Sequence, residues 1–213
     1  MKIDWITVGP FQENSYLLRD SATRRAVLVD PGDEPSRILT LVRESHTTLD
    51  AIWLTHGHLD HIGAVAAVKR ELGGDIPVFL HPDDLPLYRR AAQQAAFYGL
   101  AFEQPADPDR TLADGQELTL GVHSFIVRHT PGHSPGHVVF LGDRVMVGGD
   151  LLFAGSIGRT DLPFSNPVAM EASLTLVAAL PPAIAVYPGH GPPTNIGSEL
   201  ATNPYLLHLD HVR

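Results

Sequence analysis

The sequence predicts an α/β fold in which two β-sheets pack face to face and helices cover their outer sides. Two observations lead there. Strand-like apolar segments give way to helical periodicity, and this order occurs twice along the chain, the pattern of a layered sandwich. The chain is also large enough: 213 residues with a hydrophobic fraction of 44% suffice for a layered core within one domain, expected to span residues 1–213. No sequence repeat accompanies the doubled pattern.

Residues Ile3–Val8 alternate, as does Ser15–Leu18, and Ala26–Val29 is an apolar run closed by the turn signal Asp30-Pro31-Gly32-Asp33; all three read as strands. From Pro35 to about Glu44, Ile38, Leu39, Leu41 and Val42 recur at helical spacing, so a helix separates that meander from a strand at Ala51–Leu54. Ile62, Val65, Ala66, Val68 and Leu72 mark the next helix, which Asp60 is placed to cap and Gly73-Gly74 to end. A strand at Pro77–Leu80 follows. The stretch Pro82–Tyr98, with Leu85, Leu87, Tyr88, Ala91, Ala92 and Ala95, reads as one helix, and Gln104–Pro108 as a surface connection, not a domain boundary. The second half brings strands at Glu117–Leu120, His123–Arg128, Val138–Leu141 and Arg144–Val147, then a helix over Asn166–Leu180. A strand at Ile184–Tyr187 and a short helix from Asn203 to the C-terminus complete it.

The chemistry gathers directly behind the strand Ala51–Leu54, in Thr55-His56-Gly57-His58-Leu59-Asp60-His61. His56 and His58, two apart on extended backbone, face the same side, while Asp60 and His61 fall where a helix begins. Four such groups divide into two pairs. That points to two metal ions, because a single tetrahedral ion has little room for all four. Three more positions follow predicted strands. The Pro131-Gly132 turn presents His133 as a ligand; His137, which begins the next strand, reads as structural, bonded to a neighbouring carbonyl, in preference to a ligand. Asp150 follows Val145–Gly149 and can bridge two cations through separate oxygens, which no imidazole can do. His190 sits in the glycine-flanked turn Tyr187-Pro188-Gly189-His190-Gly191. Alone, Asp150 reads equally well as a capping aspartate and His190 as a surface histidine; beside the first cluster they complete two sites. His46, His81, His123, His129, His208 and His211 are most simply surface or structural groups.

Composition narrows the chemistry and the partners. With no cysteine, disulfides and thiolate sites are ruled out, and a donor set of imidazoles and carboxylates suits zinc, iron or manganese. A net charge of -9 argues against a nucleic-acid backbone as the main partner. No apolar run is long enough to span a bilayer, and Met1–Trp5 lacks the order of an export signal, so a cytoplasmic protein with no membrane partner is expected.

The His-x-His-x-Asp-His order of residues 56–61, with His133, Asp150 and His190 behind it, resembles the metallo-β-lactamase superfamily over nearly the whole chain. The resemblance implies a four-layer αββα sandwich with a dinuclear site between the sheets. His56, His58 and His133 would hold the first metal, Asp60, His61 and His190 the second, and Asp150 would bridge. The implied cofactor is a pair of divalent ions, zinc foremost, with iron or manganese as alternatives. An aspartate at the bridging position is unlike the true β-lactamases, and His58 stands where the flavin-linked di-iron oxygen reductases carry a glutamate. The superfamily's nucleases carry large inserted domains, for which this chain has no space.

The chain is most similar to the glyoxalase II thioesterases, particularly their compact bacterial branch, whose counterpart of Gly155-Ser156-Ile157-Gly158-Arg159-Thr160-Asp161-Leu162-Pro163 follows the bridging aspartate. It is expected to lack the C-terminal helical region of the two-domain enzymes. The implied reaction is hydrolysis of a small-molecule thioester such as S-lactoylglutathione by water activated between the metals. Asp60 would both ligate and orient that water, and Asp150 would be essential as the bridge. Arg159 would grip a substrate carboxylate through two parallel hydrogen bonds, or else form a salt bridge with Asp161. Phe97, Tyr98 and Phe153 are read as core aromatics before cleft walls. Two alternatives stay open. The persulfide dioxygenases share the Gly158-Arg159-Thr160-Asp161 loop, where two-domain glyoxalase II enzymes use lysine and tyrosine, and bind one iron through two histidines and an aspartate. The other alternative is a non-catalytic metal-binding module.

Overall fold

The computed structural model describes residues 1–73 and 75–209. The first half runs β1 (Lys2–Val8), β2 (Glu13–Asp20), β3 (Arg25–Val29), α1 (Pro35–Glu44), β4 (Thr48–Trp53), α2 (Leu59–Ile62), α3 (Val65–Leu72) and β5 (Val78–Leu80). A 3₁₀ turn over Pro82–Asp84, α4 (Leu85–Tyr88), α5 (Ala91–Phe97) and β6 (Arg110–Thr111) close it. The second half runs β7 (Glu117–Leu120), β8 (His123–His129), β9 (Val138–Leu141), β10 (Val145–Gly149), β11 (Leu152–Phe153) and β12 (Ser156–Ile157). It ends with α6 (Pro167–Ala178), β13 (Ala185–Pro188), β14 (Thr194–Asn195), α7 (Ile196–Thr202) and α8 (Pro204–Leu209). Strands β1 to β6 form one sheet in chain order, and the second sheet is ordered β14-β13-β10-β9-β8-β7. Each sheet is antiparallel along its meander (β1 to β3, β7 to β10) and turns parallel where a helical crossover intervenes, β3 to β6 in one and β10 to β13 in the other.

Alternation along the strands decides which layer each side chain enters. Tyr16, Leu18, Val27, Val29 and Trp53 face the second sheet and pack there on Phe125, Val127, Phe140 and Val147. The Trp53 ring meets Phe125 edge-on at 5.4 Å between centroids. Leu17, Leu28 and Ile52 face the other way, onto Ile38, Leu39 and Val42 of α1 and Val65 and Val68 of α3. On the far side of the second sheet, Val139, Met146 and Val186 pack on Met170, Leu174 and Val177 of α6 and Leu206 of α8. Three apolar interfaces between four layers give the αββα sandwich.

Two predicted helices are broken. After the histidine turn the backbone winds as α2 and α3, separated by Gly63. A Cβ on Gly63 would collide with the Gly32 carbonyl, and Ala64 N–H donates to the Pro31 carbonyl (2.9 Å), so the break docks this segment on the β3 turn. Asp60 is not a cap: His58 holds the N-cap position of α2 without a side-chain bond, and Asp60 lies inside the first turn. Gly73 ends α3 with φ 95°; Gly74 lies outside the described residues. The expected helix Pro82–Tyr98 is a 3₁₀ turn followed by α4 and α5, because Asp84 turns its carboxylate inward to the metal-binding loops. At the C-terminal end the expected short helix is α8, and α7 precedes it as a helix the sequence did not signal; residues 210–213, including His211, lie outside the described residues. The two-residue strands β6, β11, β12 and β14 have too few residues to show a period.

Candidate metal centre

Each predicted ligand leaves the carboxyl end of a strand. His56, His58, Asp60 and His61 follow β4, His133 follows β8, Asp150 follows β10 and His190 follows β13. These ends converge because the sheets are stitched together here. Asn14 N–H donates to Gly189 O (2.7 Å), the Tyr16 hydroxyl to Pro188 O (2.6 Å), and Val138 N–H to Thr55 O (2.8 Å).

The imidazoles arrive with their orientation fixed. A ring nitrogen facing a carbonyl must carry the proton, so His133 donates from Nδ1 to Arg159 O (2.9 Å) and His190 from Nδ1 to Phe11 O (3.1 Å); Nε2 of each turns into the centre, that of His133 2.8 Å from His58 Nδ1 and that of His190 3.5 Å from both Asp60 Oδ2 and Asp150 Oδ2. Asp30 orders two more. Its Oδ2 lies 3.0 Å from His61 Nδ1 and 2.6 Å from the Thr55 hydroxyl, which therefore accepts from His56 Nδ1 (3.0 Å). Carboxylate-held imidazoles of this kind are the usual support of a metal ligand. Asp30 was read in the sequence only as part of a turn. Its signal was register: parallel pairing of Val29 with Trp53 carries the residue after β3 alongside the residues after β4.

Two sets of donors result. His56, His58 and His133 bring one atom each to within 4.8 Å of one another, and Asp60, His61 and His190 do the same. Asp150 lies between them, with Oδ2 3.3 Å from His133 Nε2 and 3.5 Å from His190 Nε2, and Oδ1 3.4 Å from His61 Nε2. Two ligands about 2.05 Å from a tetrahedral ion stand about 3.3 Å apart, so these spacings are those of atoms arranged around ions. His56 Nε2, His61 Nε2 and Asp150 Oδ1 are fully buried and have no hydrogen-bond partner. Buried polar atoms are rarely left so; cations would satisfy all three, and the residues fit a dinuclear centre.

Charge supports the same fit. Burial holds His56 and His58 far below the usual imidazole range, His58 at about 3, which keeps the neutral, ligating form. Burial opposes the charge of Asp60 and Asp150, yet His61 beside both pulls each below the ordinary carboxylate range. Burial likewise works against protonating His61 and His190, but Asp150 and Asp60 outweigh it and lift His190 to about 10. The two carboxylates draw positive charge to their shared position.

His137 accepts the Asp150 N–H at Nε2 (3.0 Å) and pairs with the Thr130 hydroxyl at Nδ1 (2.9 Å), so both its nitrogens are used and it positions Asp150. Its role is structural, but its partners are an amide and a hydroxyl, not a carbonyl. Arg159 lines the cleft above the centre, and its guanidinium pairs with Asp161 through Nε (2.9 Å) and Nη2 (2.8 Å). Phe97, Tyr98 and Phe153 are not core residues: they line this cleft of about 720 Å³, Phe97 and Tyr98 largely exposed at it. The sequence reading also missed Asp84. Fully buried, it accepts from Gly57 N (2.8 Å), the Ser134 hydroxyl (2.7 Å) and Gly136 N (2.5 Å), joining the loop of His56 and His58 to that of His133. Gly57 and Gly136 let it in: a Cβ would stand 2.9 Å from Tyr88 N in the first case and 2.6 Å from Asp84 N in the second.

Fold and site together define a metal-binding protein of the two-sheet sandwich class, with a histidine and aspartate centre for two ions. The chain belongs to the metallo-β-lactamase superfamily, whose family model matches residues 8–190. It is 37% identical over 210 residues to hydroxyacylglutathione hydrolase GloC of Haemophilus influenzae, covering 97% of this chain and 98% of the relative. Among solved structures, TTHA1623 in a di-iron-bound form is similar with TM-score 0.88 and 48% identity, over 95% of this chain and 100% of that one. The BLEG-1 B3 metallo-β-lactamase is similar with TM-score 0.89 and 38% identity, over 96% and 99%. Among the described residues no helix is long and apolar enough to cross a membrane.

Proposed function

We propose that the protein is a metal-dependent thioester hydrolase acting on S-lactoylglutathione or a similar small thioester. The observation that carries this reading is the meeting of two complete donor sets at Asp150 on the floor of a cleft, with buried nitrogens and a carboxylate oxygen left unpaired for ions. The likeness to GloC supports the substrate class. His56, His58 and His133 would hold one ion, Asp60, His61 and His190 the other, and Asp150 would share both. Bound there, divalent ions supply a water acidic enough to attack at neutral pH and polarise the thioester carbonyl.

The chain's own groups do the rest. Asp60, partly open to the cleft, orients the attacking water and accepts its proton. The acyl carbon gains the water oxygen, the C–S bond breaks, and the thiol leaves with a proton. Phe11 and Phe153 line the cleft beside the reacting carbonyl. Zinc is the proposed metal, with iron the alternative raised by the di-iron form of TTHA1623.

A metal-replete sample tests the reading. Two ions per chain and oxygen-independent hydrolysis of S-lactoylglutathione are expected, with a β-lactam assayed alongside because of the likeness to BLEG-1. One ferrous ion with oxygen uptake on a persulfide would instead establish the dioxygenase reading, favoured by Gly158-Arg159-Thr160-Asp161. Tight metal binding without turnover of any of these would leave a binding module. Asp150→Ala should lower metal content and abolish turnover; full thioesterase activity in a folded, metal-assayed Asp150→Ala sample refutes the dinuclear mechanism.

A further inference from the structure

The α5 wall of the cleft has a division of labour that the proposed reaction does not use. Arg90, at the N-cap of α5, and Gln93, Gln94 and Phe97 follow one another at i, i+3, i+4 and i+7, so they share one helix face. That face lines the same cleft as His58, Asp60 and Asp150, while Ala91 and Ala95 are buried. The Arg90 guanidinium lies 5.5 Å from the centre of the Phe164 ring and, among the described residues, has no carboxylate partner. Arg159, the other arginine of the cleft, is already paired with Asp161 through two hydrogen bonds. Nor do the side-chain amides of Gln93 and Gln94 bond within the described residues. One guanidinium and two amides therefore stand ready beside the apolar rings of Phe97, Tyr98 and Phe164, which are 85%, 51% and 49% exposed.

We infer that Arg90, Gln93 and Gln94 form the subsite for the thiol half of the substrate, and that this half is a short amide-bearing chain ending in a carboxylate. The inference rests on the thioesterase reading. A guanidinium matches a carboxylate with two parallel hydrogen bonds, and stacking on Phe164 holds its plane in place beforehand. A glutamine amide offers one acceptor and two donors, the complement of a peptide group. The reacting carbonyl belongs on the floor, where His56, His61 and Asp150 are buried; the exposed α5 face can meet only the end of the substrate that extends to the mouth. Phe97 and Tyr98 would cover its methylene segments.

Arg90→Gln and Arg90→Lys should be assayed on S-lactoylglutathione and on S-lactoyl-N-acetylcysteamine, which keeps an amide but has no carboxylate. Loss of one charge-assisted pair is worth about tenfold or more. We expect Arg90→Gln to raise KM for the glutathione thioester about tenfold with kcat within about twofold, to act at least about fivefold less on the uncharged thioester, and to be partly rescued by Arg90→Lys. Gln94→Ala should raise KM for both. Equal effects of Arg90→Gln on the two thioesters would overturn the subsite. So would a greater effect on a thioester carrying its carboxylate on the acyl side. Failure of the unaltered chain to hydrolyse either compound would instead overturn the thioesterase reading itself.

Discussion

Asp30 shows how much of this centre depends on a group outside the two proposed donor sets. One carboxylate accepts from Thr55 N–H (2.7 Å) and the Thr55 hydroxyl (2.6 Å), and it orients His61 at Nδ1 (3.0 Å). Through the Thr55 hydroxyl it also fixes His56, so a ligand of each donor set is held by the same two oxygens. Replacing such a supporting group costs about 10- to 100-fold in metal affinity. Asp30→Asn should therefore weaken metal binding by that factor in a chelator competition, with both sites affected because both histidines lose their tether. Unchanged affinity would mean that packing alone orients the rings. The ligands themselves were legible in the sequence because His56, His58, Asp60 and His61 crowd into six residues and His133, Asp150 and His190 each follow a strand signal. Asp30 was not, because its partners are an amide and two side chains brought alongside by strand pairing, and pairing leaves no mark in local composition.

The segment from Pro82 to Tyr88 carries the same lesson for a structural element. Its apolar positions keep a helical period through Ala95, which is why the sequence reads as one long helix; the structure interrupts it so that Asp84 can reach two loops at once. All three of its partners, Gly57 N–H, Gly136 N–H and the Ser134 hydroxyl, donate to it. Asparagine would place an NH₂ group against donors, so Asp84→Asn should be hardly better than Asp84→Ala. Each should cost about 3 kcal/mol, because buried amides lose a charged acceptor. The loss should appear in the urea midpoint of the metal-free chain and, separately, as weaker binding of an ion at the donor set His56, His58 and His133. A stability loss with unaltered metal affinity would confine Asp84 to a role in folding. The strands and the two longest helices were legible by contrast: α1 has proline at its first turn and an apolar stripe, α6 opens on Asn166 and Pro167 and is apolar for most of its length, and β3 and β9 are short, continuous apolar runs.

Across the molecule, the two sheets are joined at both ends of β2. Asn14 and Tyr16 bind the second sheet beside the metal centre, while Asp20, at the other end, binds the turn between β7 and β8. The centre can stay precise only while the sheets keep their separation, and Asp20 is the polar tie farthest from it along that strand. Its carboxylate accepts from the Thr23 hydroxyl (2.7 Å), Ala22 N–H (2.9 Å) and Val122 N–H (3.1 Å), and these bonds hold its pKa at about 2. In the unfolded chain it returns to about 3.9. The folded value is the lower one, so the tie stabilises fully above about pH 4, and the stabilisation is lost as pH falls through about 2. Asp20→Asn should thus lower the urea midpoint most at neutral pH, and the gap from the unaltered chain should close on acidification between about pH 4 and pH 2. The metal ligands titrate in both chains alike and are distant enough to cancel in that difference. A gap that stays constant down to about pH 2 would show that Asp20 joins the sheets through shape and not through its charge.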